Sequence, residues 1–200
     1  MDIDTRAIAA RCGALLDQMR AARPLVQNIT NYVSMDIAAN ALLAVGASPA
    51  MVHAPEESPQ FVALAGALVI NIGTLSADTA HAAQVATTAA RQLGRPWLFV
   101  VATGEIDLAT DGKQIVRLAN GSPLMTRVTA LGCSLSSVMG AFMAIAPPLE
   151  AAVAALAVYG VAGDMAAEAA NRPGSFRVAF LDALDAITAA DITARLKVIA

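Results

Sequence analysis

Strands that alternate with helices through the first half of the chain predict an α/β layered fold with a mostly parallel sheet. Residues 67–72 and 97–102 are continuous apolar runs of strand length, the first bounded by Gly66 and Gly73. Such runs mark strands buried on both faces. The composition agrees: 57% of the 200 residues are hydrophobic, yet only 4% are aromatic. Ala- and Val-rich helices packed closely on a Val/Ile sheet fit that balance better than an aromatic-rich sandwich.

Each element follows from local pattern. Residues 5–22 place Ile8, Cys12, Leu15, Leu16 and Met19 on one stripe of an amphipathic helix. A short strand, 24–29, ends in the polar cluster Asn28, Thr30 and Asn31. A helix over 32–45 stops at Gly46. Residues 50–53 read as a strand, and the run from Pro55 to Pro59 opens the next helix. Ser76 or Asp78 caps a helix that reaches about Leu93. After the strand at 97–102, residues 106–110 and 114–118 form a hairpin about Asp111-Gly112. Helices over 132–146, 149–170 and 176–189 complete a single domain over 1–200, with breaks at Pro147-Pro148 and Arg172-Pro173-Gly174.

Composition excludes several classes of function. A net charge of −3 and a pI near 5.3, with no basic cluster, argue against a nucleic-acid partner. A mean hydropathy of +0.60 raises the question of a membrane span, and residues 128–149 carry no charge. That segment contains Pro147-Pro148 and several Ser, Thr and Gly, so its transfer into lipid is poor and no membrane partner is expected. The start of the chain lacks the basic and apolar pattern of a signal peptide. Cys12 and Cys133 offer no disulfide framework, which suits a reducing cytoplasm.

The most informative stretch is 126–142, where the turn Ala130-Leu131-Gly132 leads directly into Cys133 and an apolar helix. The first N–H groups of a helix lack intrahelical partners, and the macrodipole adds partial positive charge there. Such an end holds a phosphate or a developing oxyanion without metal or lysine, and its field favours a thiolate. The plainer reading is a Gly-Cys pair packed at the start of a core helix. Cys12 reads as a core residue of the first helix. His53 follows a strand, where a lone histidine is usually structural, and His81 lies on a helix exterior. No Walker A loop, no G-x-G-x-x-G, no G-x-S-x-G elbow and no His/Cys metal cluster is present.

Six segments, in order, resemble the hydroxyethylthiazole kinase family. They are P-L-V-Q-N-I-T-N-Y-V (24–33), A-N-A-L-L-A-V-G-A-S-P-A-M (39–51), A-L-V-I-N-I-G-T-L-S (67–76), A-T-G-E-I-D-L-A-T-D-G (102–112), G-S-P-L-M-T-R-V-T-A-L-G-C-S-L-S (121–136) and R-P-G-S-F-R-V-A-F-L-D-A-L (172–184). The resemblance implies a ribokinase-like three-layer fold. It also implies ATP- and Mg²⁺-dependent phosphorylation of 4-methyl-5-(2-hydroxyethyl)thiazole in thiamine salvage, by a homotrimer with thiazole sites between subunits. By the same resemblance Met51 contacts the thiazole, with Asn28 on that side, and Ala130 contributes to substrate binding. Thr103 contacts ATP, Gly132 belongs to the phosphate-binding turn, and Cys133 is the base toward the substrate hydroxyl. No residue is implied as a metal ligand.

Two departures from the family pattern stand out. Its turn usually reads Gly-Thr-Gly-Cys or Gly-Ala-Gly-Cys. Ala130 is expected to restrict the backbone and add a methyl where phosphate approaches, and Leu131 to add bulk beside it. The second departure is an internal deletion near 97–103 of on the order of 60 residues, about two βαβ-sized units. The segment lost holds the family's ATP-contacting arginine and the acidic groups associated with Mg²⁺. The sheet is therefore expected to have fewer strands and an uncovered flank. Two functional readings follow: an active thiazole kinase, or a catalytically impaired remnant that binds thiazole or only assembles.

Overall fold

The computed structural model describes residues 4–71, 76–94 and 100–199. Helix α1 (Thr5–Ala22) is capped by Asp4, whose carboxylate accepts the N–H groups of Arg6 and Ala7 at 3.1 and 3.0 Å. Strand β1 (Leu25–Ile29) leads into α2 (Tyr32–Val45), which ends at Gly46 in the left-handed conformation. Then come β2 (Ser48–Ala50), α3 (Ser58–Leu64), β3 (Ala67–Ile70) and α4 (Ala77–Gln92). Ser76 caps α4 in a reciprocal box with Thr79, which settles the choice between Ser76 and Asp78.

The parallel sheet has the order β2-β1-β3. Its two faces carry different cores, because side chains alternate along a strand. Val26 belongs to a large cluster with α1, α2 and the later helices, whereas Ile29 packs with Val62 of α3 and Ala82, Ala86 and Ala90 of α4. The result is three layers, the expected α/β arrangement.

The second half departs from a single sheet. Strands β4 (Val100–Ala102), β5 (Asp107–Thr110), β6 (Ile115–Leu118) and β7 (Val198–Ile199) form a separate antiparallel sheet in that order. The hairpin about Asp111-Gly112 is as expected, and a tight turn dictates antiparallel pairing. β7 was not anticipated. It pairs Val198 with Leu118 and Ile199 with Arg117, joining the end of the chain to the hairpin.

Two expectations need correction. β2 covers Ser48–Ala50, so Met51 and His53 lie beyond the strand. β3 is only half-buried rather than covered on both faces, because it sits at the end of its sheet and no strand pairs with its outer edge among the described residues. Of the expected strand at 97–102 only Val100–Ala102 can be compared; residues 97–99, like Gly73-Thr74, lie outside the described residues.

After a 3₁₀ turn (Pro123–Arg127) come α5 (Leu131–Met143), α6 (Pro148–Ala169), α7 (Pro173–Ala186) and α8 (Ala189–Arg195). Pro173 occupies the first turn of α7, so the helix starts earlier than expected; a proline there loses no helical hydrogen bond. The uncharged segment 128–149 is divided between α5, a turn and the start of α6. Among the described residues, the helix long and apolar enough to cross a membrane is α6, and most of it is buried inside the fold.

Candidate active site at the amino end of helix α5

Close packing on the parallel sheet fixes the direction of α5. A methyl at Gly140 would meet Val26 of β1 and Val69 of β3, while Ala144, just past the helix end, lies against Gly66 near Pro24 and Leu25. Moving back along α5 from Ala144 to Gly140 thus moves forward along β1. The helix runs antiparallel to the strands, and its amino end points to their carboxyl ends. From Gly140 to Cys133 is about 10 Å at 1.5 Å per residue, and from Val26 to Ile29 about 10 Å at 3.3 Å per residue. Cys133 is therefore level with the end of β1, where an α/β sheet holds its ligands.

The turn before α5 has the form that an anion site needs. Ala130 adopts φ 65°, a left-handed conformation that glycine favours, and its carbonyl accepts the Ser134 N–H at 3.0 Å. No side chain caps the helix, so the N–H groups of Leu131, Gly132 and Cys133 have neither an intrahelical nor a side-chain capping partner. Gly132 is exposed with open space around it, and Cys133 is half-buried rather than sunk in hydrocarbon. Cys12 is 2% exposed, and burial pushes its thiol up to about 12. One cysteine is core, the other is poised at the helix end.

The two substitutions in the turn behave differently from expectation. Leu131 does not crowd the phosphate position: it is 4% exposed and packs into the large core. The Ala130 methyl also packs against that core. What remains is backbone strain, about 1–2 kcal/mol for a non-glycine residue in the left-handed region.

A second group of side chains gathers at the carboxyl edge. Register pairs Gln27 with Ala50, so Met51 lies one step on, level with Asn28, and His53 level with Thr30. The ring of His53 confirms that alignment. Its Nε2 lies 2.7 Å from the Thr30 carbonyl and 3.1 Å from the Thr30 N–H. The Thr30 and Ser34 hydroxyls meet at 2.6 Å, and Asn31 caps α2 through the Ser34 N–H at 3.0 Å. Among the described residues, Gln27 Oε1, Asn28 Oδ1, His53 Nδ1 and Ser58 Oγ are buried without a partner. Strand alternation divides them. Gln27 faces α3, where its Nε2 donates to the Ser58 carbonyl at 3.2 Å, while Asn28 shares the face of Val26 and α5. An unpaired buried acceptor costs about 1–3 kcal/mol, a cost that a polar partner for Asn28 Oδ1 would recover.

The family model described as "Hydroxyethylthiazole kinase family" matches residues 16–99 and 98–190. The chain belongs to that family. A hydroxyethylthiazole kinase of Cereibacter sphaeroides (strain ATCC 17029 / ATH 2.4.9) is 41% identical, covering 93% of this chain and 98% of the relative. One of Rhizobium johnstonii is 40% identical over 93% and 96%. The solved structure of the hydroxyethylthiazole kinase protein of Pyrococcus horikoshii OT3 superposes with a TM-score of 0.92 at 33% identity, covering 94% of this chain and 98% of that one. The fold is thus the family's ribokinase-like α/β fold.

The same comparisons bear on the internal deletion. The two matched segments meet at residues 98–99, and the Cereibacter alignment runs over 257 residues against a chain of 200. The relative therefore carries residues for which this hydroxyethylthiazole kinase family member has no counterpart. The join itself lies outside the described residues.

The nucleotide side is sparser. Thr103 and Glu105 are exposed on the loop between β4 and β5 of the antiparallel sheet. Asp107 accepts the Gly104 N–H at 3.0 Å, and burial raises its carboxyl above the usual range. Among the described residues no three His, Cys, Asp or Glu side chains converge. The uncapped end of α5 offers N–H donors suited to a phosphate, whereas a donor set for a protein-held Mg²⁺ is absent from the described residues.

Proposed function

We propose that the carboxyl edge of the parallel sheet is where this kinase transfers the γ-phosphoryl of ATP to the hydroxyl of 4-methyl-5-(2-hydroxyethyl)thiazole. The observation that carries this reading is the uncapped α5 amino end, with Cys133 half-exposed on it and level with the end of β1. Phosphoryl transfer needs alignment and charge stabilisation more than covalent chemistry. The Cys133 thiolate takes the alcohol proton, and the alkoxide oxygen forms a bond to the γ-phosphorus. The bond to the β–γ bridging oxygen breaks, and ADP leaves with that electron pair. The N–H groups of Gly132 and Cys133 stabilise phosphoryl oxygens, with Ala130 shaping the turn. Asn28 and Met51 hold the thiazole, and Thr103 contacts the nucleotide. Mg²⁺ would arrive bound mainly by phosphate oxygens, as is usual in kinase sites.

The single domain is proposed to work in the cytoplasm as a homotrimer with thiazole sites between subunits. Support comes from an apolar surface beside the site: Tyr32 and Val33 at the start of α2, and Val178 on α7, are 78%, 70% and 62% exposed. Arg177 of α7 is ion-paired at the surface to Asp36 of α2, so these two helices lie side by side. A monodisperse monomer at high concentration contradicts the trimer.

The missing internal segment, and the lack of an acidic cluster among the described residues, favour a second reading, in which turnover is impaired and the chain still binds thiazole or only assembles. Calorimetry with the thiazole alcohol and, separately, with Mg·ATP, followed by a phosphate-transfer assay, separates the two. Binding of both with transfer supports the kinase. Thiazole binding without nucleotide binding supports the impaired form, and two silent titrations mean that the pocket has collapsed and leave only assembly.

A further inference from the structure

The turn that carries Cys133 is tied from beneath to the centre of α6. The Tyr159 hydroxyl donates to the Leu131 carbonyl at 2.6 Å. Ser134 Oγ lies 2.6 Å from the same hydroxyl and 3.0 Å from the same carbonyl. Both side chains are buried, Tyr159 at 3% and Ser134 at 0% exposure. The phenol ring is itself fixed, meeting Phe180 edge-on at 4.7 Å, while Phe180 stacks on Phe176 at 6.0 Å. Burial holds the phenol in its neutral, donating form.

The peptide plane gives this tether a directional consequence. In a trans peptide the carbonyl of one residue and the N–H of the next are coplanar and point in opposite directions. Holding the Leu131 carbonyl toward the body of α5 therefore aims the Gly132 N–H the opposite way, out of the amino end of the helix, where Gly132 is exposed. We infer that Tyr159, with Ser134, is a positioning residue for the anion-binding turn, fixing the Leu131–Gly132 peptide so that its N–H faces an incoming phosphoryl oxygen. The tether also explains how Ala130 keeps φ 65° without a glycine, since a strained residue persists only where its surroundings over-determine it. The inference rests on the reading of the α5 amino end as the phosphate side of the site.

The test reads the turn without requiring kinase turnover. Cys133 of the intact protein is alkylated with neutral iodoacetamide and, separately, with anionic iodoacetate. The ratio of the two rates cancels thiol exposure and thiolate fraction, leaving the attraction of the turn for a negative charge. Cys12 is buried, so it stays silent. In the unmodified chain the iodoacetate-to-iodoacetamide ratio exceeds that of free cysteine. Tyr159→Phe is expected to lower it by about threefold or more, roughly the worth of one well-aimed donor. Ala130→Gly placed on Tyr159→Phe is expected to restore most of the loss, because glycine holds the left-handed turn without the tether.

Ser134→Ala gives a smaller effect in the same direction and serves if Tyr159→Phe does not fold. A ratio unchanged in the folded variants, even with a lowered melting temperature, reduces Tyr159 to core packing and overturns the inference. So does a starting ratio no higher than that of free cysteine. A chain that fails to phosphorylate yet shows the predicted ratios defeats the kinase reading and leaves the positioning role standing.

Discussion

Gly140 of α5 and Val69 of β3 meet so closely that an added Cβ on Gly140 would sit 2.5 Å from Val69 Cγ2, and 2.9 Å from Cγ1 of Val26. This contact seats the helix on the sheet and thereby sets the height of Cys133 above the strand ends. Gly140→Ala should destabilise the fold by about 1–3 kcal/mol, the usual cost of overpacking a filled core. Urea unfolding checks the stability, and the KM for the thiazole alcohol checks whether the helix has lifted from the edge.

Arg20 bridges the ends of two helices. Its guanidinium donates to the Val45 carbonyl at 3.2 Å, to Ile187 at 2.7 Å, and to both Leu184 and Asp185 at 2.9 Å. These are last-turn carbonyls with no helical donor of their own, held by a planar fork that lysine does not reproduce. Arg20→Lys should lower stability by about 1–2 kcal/mol, and Arg20→Ala by about 2–3 kcal/mol. Thermal melts of the two variants against the parent order these effects.

Cys12 gives the fold an alkaline limit. Burial raises its folded thiol from 9.0 to about 12, so between those values the folded chain holds a proton that the unfolded chain has released. The associated stability is fully present below pH 9 and is lost as the pH climbs toward 12. Cys12→Ala should flatten that decline while costing some packing at neutral pH. Denaturant midpoints at pH 7 and pH 10 for both proteins make the comparison.

The legible parts of this chain are those specified by neighbouring residues. Helices over 5–22 and 32–45 match α1 and α2, because the apolar stripe and the stop at Gly46 are local signals. The Asp111-Gly112 hairpin was equally readable. The division into two sheets is not local, because it depends on which strands pair across the fold, and β7 joins β6 from the far end of the sequence. For the site, Cys133 and its turn stood out from sequence, and Leu131 was misjudged because its direction depends on tertiary packing. Tyr159 was missed altogether, hidden in the apolar run of α6. A signal did exist: a phenol in an Ala/Val helix that buries all around it must find a hydrogen-bond partner. A structural role for His53 agrees with the contacts of its Nε2 with Thr30.

The most direct test sets Cys133→Ala beside the parent chain in one preparation, measuring phosphate transfer from ATP and calorimetric affinity for the thiazole alcohol. The account predicts that the parent phosphorylates the alcohol and that transfer by the variant falls to background. Thiazole affinity should stay within about tenfold, or 1.4 kcal/mol. A variant that turns over at the parent's rate contradicts it, because the sulfur at the end of α5 would then have no part in the chemistry.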